Sequence, residues 1–110
     1  MKIIHTPNAP AAIGPYSQAV VSNGTLYVSG QVPVDPATGA FAGDTIAQQA
    51  EQSCKNVGAI LAAAGADFDK VVKTSCFLAD MADFAVFNEV YARYFVSKPA
   101  RACVAVKTLP

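Results

Sequence analysis

The chain has 110 residues, 53% of them hydrophobic and 15% charged, with eight Lys and Arg balanced by eight Asp and Glu. That length holds one domain around one core, and the composition excludes a disordered tail. Zero net charge leaves no electrostatic footprint for nucleic acid or an anionic membrane, so the expected partner is a small molecule or another protein.

Along the chain, Met1-Lys2-Ile3-Ile4-His5-Thr6-Pro7 lacks the apolar stretch of a signal peptide, and no run approaches the roughly 18 apolar residues of a membrane span. A cytoplasmic protein is expected. Gln18–Ser22 and Thr25–Gln31 are β-prone runs flanking Asn23-Gly24, the strongest two-residue hairpin signal. Asp35-Pro36-Ala37-Thr38-Gly39 reads as a turn. Asp44-Thr45 opens a helix in which Thr45 and Gln48 have capping-box spacing, and which should end near Gly65. Its apolar positions Ile46, Ala50, Cys54, Val57, Leu61 and Ala64 fall three or four apart on one face, with Gln48, Glu51, Gln52 and Lys55 largely outside.

Lys70–Ala79 is β-rich, a second helix from about Asp83 carries Phe84, Phe87, Tyr91, Tyr94 and Phe95 on its periodic face, and after Pro99 a last strand runs from Arg101 to Lys107. The order β-β-α-β-α-β predicts an α+β two-layer sandwich, one sheet with both helices on one face. Both alternating sets on the strands contain apolar residues: Leu26 and Val28 against Tyr27, and Phe77 against Val72, Cys76 and Leu78. Neither face looks made for water, so the helix-free face is expected to pack on other copies.

The usual catalysts are few: one histidine, two glutamates and two arginines. His5, beside Thr6-Pro7 near a terminus, reads as a solvated or loop-packed histidine in preference to a catalytic one. Cys54, Cys76 and Cys103 are odd in number and widely spaced without C-x-x-C, which argues for reduced thiols against a disulfide framework or a zinc site. Cys54 and Cys76 lie where inert packing is expected, whereas Cys103 is open to either reading. Asp80 and Asp83 are explained as helix-start residues, not metal ligands. Glycine-rich cofactor motifs are absent. Arg101 begins a strand after Pro99-Ala100, and by position alone an exposed strand-end arginine is favoured over a ligand-binding one.

Four segments change that balance: Gly14-Pro15-Tyr16-Ser17-Gln18, Ser29-Gly30-Gln31-Val32-Pro33, Asn88-Glu89-Val90-Tyr91 and Pro99-Ala100-Arg101-Ala102-Cys103-Val104. In this order and spacing the chain, from about Ala9 to Pro110, closely resembles the reactive intermediate deaminase (Rid, YjgF-like) family. The resemblance implies a fold similar to chorismate mutase and a homotrimer whose sheets form a central barrel, with active sites between subunits. It also implies hydrolysis of 2-iminopropanoate and 2-iminobutanoate to 2-keto acids and ammonia, without metal or organic cofactor.

By resemblance Arg101 holds the substrate carboxylate, which suits a guanidinium that can give two parallel charge-assisted hydrogen bonds. The Cys103 carbonyl accepts from the imine nitrogen, and its thiol is a bystander. Tyr16 lines the site, although packing alone could explain it. Ser29 and Gly30 match a ligand-contacting segment that could equally be a strand-end bulge, and Asn88 matches a position near the cleft that could equally be solvated. In the family a glutamate on a final strand, in a segment reading roughly Val-Glu-Ile-Glu, positions the attacking water. This sequence stops at Pro110, and Glu51 and Glu89 do not match it; a longer protein is expected in preference to a sheet ending on an unpaired apolar edge. The competing function is a non-enzymatic trimer that binds 2-keto or amino acids as a sensor. A ribonuclease finds little support in a neutral chain.

Overall fold

A computed structural model describes residues 1–110. The strands are β1 (Lys2–Ile4), β2 (Ala19–Ser22), β3 (Thr25–Val28), β4 (Lys73–Leu78) and β5 (Ala100–Ala105), and the helices are α1 (Ile46–Ala63) and α2 (Phe84–Tyr94). The order matches the expected one with β1 added, a strand of three residues too short to show periodicity.

Local chemistry explains most boundaries. Asn23 and Gly24 both take positive φ, 50° and 76°, as a two-residue turn between right-twisted strands requires. The capping box forms as spaced: Thr45 Oγ1 accepts from Gln48 N–H, and Gln48 Oε1 accepts from Thr45 N–H, each at 3.2 Å. At the other end Gly65 has φ 76°, and Ala66 N–H reaches back to the Leu61 carbonyl at 2.9 Å, which closes the helix in a Schellman-type turn. Asp80 accepts from Ala82 N–H and starts a short 3-10 turn, Met81–Asp83, that leads into α2. Asp83 sits at the N-cap of α2 without a side-chain cap bond.

The single mixed sheet expected from the sequence is instead two sheets. β1, β2 and β3 form an antiparallel meander, and β4 and β5 form a parallel pair. No ladder joins β3 to β4. A groove of about 1260 Å³ runs there, walled by Leu26 and Val28 on one side and Thr74 and Cys76 on the other, with Cys54 and Tyr91 beneath.

Both helices cover one side of the sheets. Ile60 of α1 packs with Ile4, Ala9 and Ala19 under the meander, while Cys54 of α1 packs with Tyr91 of α2 and with Phe95, just past its end, against Cys76. Burying one such side chain stabilises the fold by roughly 1.5–3 kcal/mol. The opposite side is open and apolar: Ile3 pairs with Val20 and Val20 with Tyr27 across the meander, and Phe77 pairs with Val104. Tyr27 and Phe77 are 59% and 57% exposed. No helix is long and apolar enough to cross a membrane.

Candidate functional site

Arg101, the second residue of β5, points to the helix side of its sheet. Its guanidinium lies over the Tyr91 ring at 4.8 Å and the Phe84 ring at 5.4 Å, and Nη1 donates to Asn88 Oδ1 at 2.7 Å. Phe84, Asn88 and Tyr91 are spaced i, i+4 and i+7 on α2, so one helix face supplies all three contacts. Asn88 is therefore not a merely solvated residue. Arg101 is exposed, and the guanidinium donors not used by Asn88 are free to take an anion in a planar, two-point grip.

Beneath it, Tyr91 is 9% exposed and stacks on Phe95 at 4.3 Å with planes 17° apart. Its hydroxyl and Thr74 Oγ1 are 2.6 Å apart, and burial raises its pKa from the ordinary value, with the Thr74 bond opposing. Thr74 is the residue paired with Arg101 across β4 and β5.

Cys103 pairs with Cys76 on the same ladder, half-buried and two residues beyond Arg101, so alternation puts both side chains on one face. Burial pushes the Cys54 thiol up to about 12 and raises that of Cys76, which makes both poor nucleophiles, as their expected packing roles require. All three cysteines are free. His5 is exposed, in keeping with its reading as a solvated side chain.

The other candidates form a separate group. Tyr16 and Gly30 line a cavity of about 350 Å³ to which neither α2 nor β5 contributes a residue. Tyr16 is 52% exposed, and its hydroxyl accepts from Ile13 N–H at 3.4 Å. The Ser29 hydroxyl donates to the Ser17 carbonyl at 2.6 Å, tying the start of this loop to the Tyr16 segment. Within one chain, then, Arg101, Asn88 and Cys103 are brought together, and Tyr16 and Gly30 share a cavity of their own, while Ser29 and Gly30 also line the large groove with Thr74 and Tyr91.

Two buried amides shape the second group. Gln18 accepts from Thr6 N–H and donates to the carbonyls of Thr6, Ala9 and Pro10 at 2.7–3.3 Å, pinning the segment that walls the cavity. Asn56, fully buried on α1, donates to the Val32 and Val34 carbonyls at 3.2 and 2.9 Å and so holds the loop after Gly30. Neither role shows in the sequence, where Gln18 is one letter of a motif and Asn56 a polar residue on a helix. Tyr91 had one legible signal, its position three residues after Asn88, but reads there as core.

The family model described as Endoribonuclease L-PSP matches residues 6–110. The chain belongs to this family, the Rid or YjgF-like proteins. Among Rid relatives, mouse 2-iminobutanoate/2-iminopropanoate deaminase is 54% identical over 110 residues, covering 99% of this chain and 82% of its own length. Of solved structures, E. coli TdcF with bound serine superposes with a TM-score of 0.94 at 44% identity, covering 100% of this chain and 89% of that one. RidA from an Antarctic Psychrobacter gives the same TM-score at 45% identity, with 100% and 89% covered. These likenesses establish the small α+β Rid fold of two helices and mixed sheets.

Proposed function

We propose that the protein hydrolyses the reactive enamine and imine forms of 2-amino acids, 2-iminopropanoate and 2-iminobutanoate, to 2-keto acids and ammonia. The observation that carries this is Arg101: an exposed guanidinium fixed on two rings and one amide, with donors free for a carboxylate, in a chain 54% identical to the mouse deaminase. Arg101 anchors the carboxylate, and the Cys103 carbonyl accepts from the imine nitrogen. Water adds to the imine carbon, ammonia leaves, and the carbonyl forms; no electron changes hands. Orientation of a protonated imine beside water supplies several kcal/mol of so modest a barrier.

Tyr16, Ser29 and Gly30 complete the site from a neighbouring subunit. Two features support this: Tyr16 lines a cavity to which neither α2 nor β5 contributes a residue, and the helix-free face presents Tyr27, Phe77 and Val104 to solvent. Covering such a face calls for other copies, in the homotrimer with a central barrel, chorismate-mutase-like in fold, that family membership suggests. The chain is a single Rid-type domain, a reading supported by one family match running over residues 6–110. Three free thiols suit a cytoplasmic setting, and eight basic against eight acidic residues give little hold on an RNA backbone.

The test is ammonia release from an imine generated in place by an amino-acid oxidase. The parent should accelerate it and Arg101→Ala should not; parental turnover by Arg101→Ala would overturn the assignment. A second reading, an amino-acid sensor, is favoured by the serine bound to E. coli TdcF. Ligand binding without any acceleration of imine decay would select it.

A further inference from the structure

We infer that Tyr91 is a positioning residue for the carboxylate grip: its ring is the shelf on which the Arg101 guanidinium lies, and its hydroxyl bond to Thr74 fixes the tilt of that shelf. The inference rests on the reading of Arg101 as the anchor and extends it to two residues that nothing else assigns. An exposed arginine loses rotamer freedom when it captures a ligand, and a side chain already held in place loses less. Here three contacts hold it: Tyr91 at 4.8 Å, Phe84 at 5.4 Å and Asn88 at 2.7 Å.

Of the three, Tyr91 is the one held at both its ring and its hydroxyl. Phe95 stacks beneath it at 4.3 Å, Phe87 lies 5.7 Å away, and Thr74 holds its hydroxyl at 2.6 Å. Because Thr74 and Arg101 are paired across the parallel ladder, the hydroxyl is tied to the very point of the sheet from which the arginine springs. Ring, hydroxyl and guanidinium thus move with β4 and β5 as one body. A lone aromatic core residue would need no such tie, since a phenylalanine would pack as well.

The test compares Tyr91→Leu, Tyr91→Phe and Thr74→Val on the imine of 2-aminobutanoate and on the same imine with a carboxamide in place of the carboxylate. Tyr91→Leu should lower the preference for carboxylate over carboxamide by about 2- to 5-fold, the effect of losing an exposed cation–π contact of about 0.5–1 kcal/mol, and mainly through KM. Tyr91→Phe keeps the shelf and should restore most of that preference. Thr74→Val should resemble Tyr91→Phe, and combining the two should cost no more than either alone. In NMR spectra the Arg101 Nε–H resonance, shifted upfield by the Tyr91 and Phe84 rings, should move part of the way toward that of a free arginine in Tyr91→Leu and stay in Tyr91→Phe.

Equal losses on both substrates would show a merely structural tyrosine and overturn the inference, as would a parental preference in Tyr91→Leu. Parental activity in Arg101→Ala would instead remove the anchor reading itself, so the two failures are separable.

Discussion

Arg101 and Asn88 are 13 residues apart in sequence and joined by a 2.7 Å hydrogen bond from Nη1 to Oδ1. The bond fixes which edge of the fork faces outward. Asn88→Ala should therefore weaken binding of 2-oxobutanoate by about five- to tenfold, the loss of roughly 1 kcal/mol of orientation, with the unfolding midpoint little changed. Titration calorimetry on both proteins checks it. Arg101→Lys keeps the charge but not the planar fork, and should recover only part of what Arg101→Ala loses.

The thiols offer a second check. With Cys54 pushed up to about 12 and Cys76 raised, both chiefly by burial, an alkylating reagent near neutral pH should leave both unmodified in the native protein, as peptide mass mapping would show. Cys103→Ser should keep most imine hydrolysis because only its backbone is asked to act; a loss of orders of magnitude with the fold intact would point to sulfur chemistry.

Gln18→Leu should destabilise the protein by about 2–4 kcal/mol, because it strips partners from buried backbone groups of Thr6 and Ala9. The thermal midpoint should fall by at least about 8 °C, and the cavity beside Tyr16 should lose its wall. A shift below a few degrees would show that water replaces the amide.

Glu51 takes hydrogen bonds from Tyr94 and from Arg93, the latter at 3.2 Å. The Tyr94 bond, foremost, and Arg93 hold its carboxyl below the ordinary 4.5, with desolvation opposing. The unfolded chain then binds the proton more readily. The contribution is complete above about 4.5 and is lost as pH falls through the lower, folded value. At this partly exposed site, screened by solvent, it should be under about 1 kcal/mol. Urea titrations of Glu51→Gln and the parent should differ slightly at neutral pH and converge in acid.

The helix-free face predicts assembly. Light scattering should give three times the 11.4 kDa chain mass, and Phe77→Lys, which puts a charge beside Val104 on the exposed face, should yield monomers that lose imine hydrolysis while keeping their circular dichroism.

What the sequence made legible was local. The Asn23-Gly24 turn, the Thr45–Gln48 box and the glycine end of α1 are written in neighbouring residues, and periodicity separates Cys54 and Leu61 from Lys55. What it hid was non-local. The gap between β3 and β4 depends on a strand pairing that no window of residues encodes, and Gln18 and Asn56 are buried only because distant loops fold over them. Arg101 gained a role from resemblance, but its seat on Tyr91 and Thr74 needed three elements placed in space.

The two buried clusters have one element in common. Ile60 belongs to one and Cys54, less than two turns earlier on α1, belongs to the other. With no backbone bonds between the sheets, cooperativity runs along that helix: as long as α1 holds, the meander and the parallel pair melt together. Fraying it near Gly58, whose hydrogen faces the Phe68 ring so closely that a methyl there would stand 2.9 Å from it, would let the two halves come apart as independent units, with two transitions where there had been one.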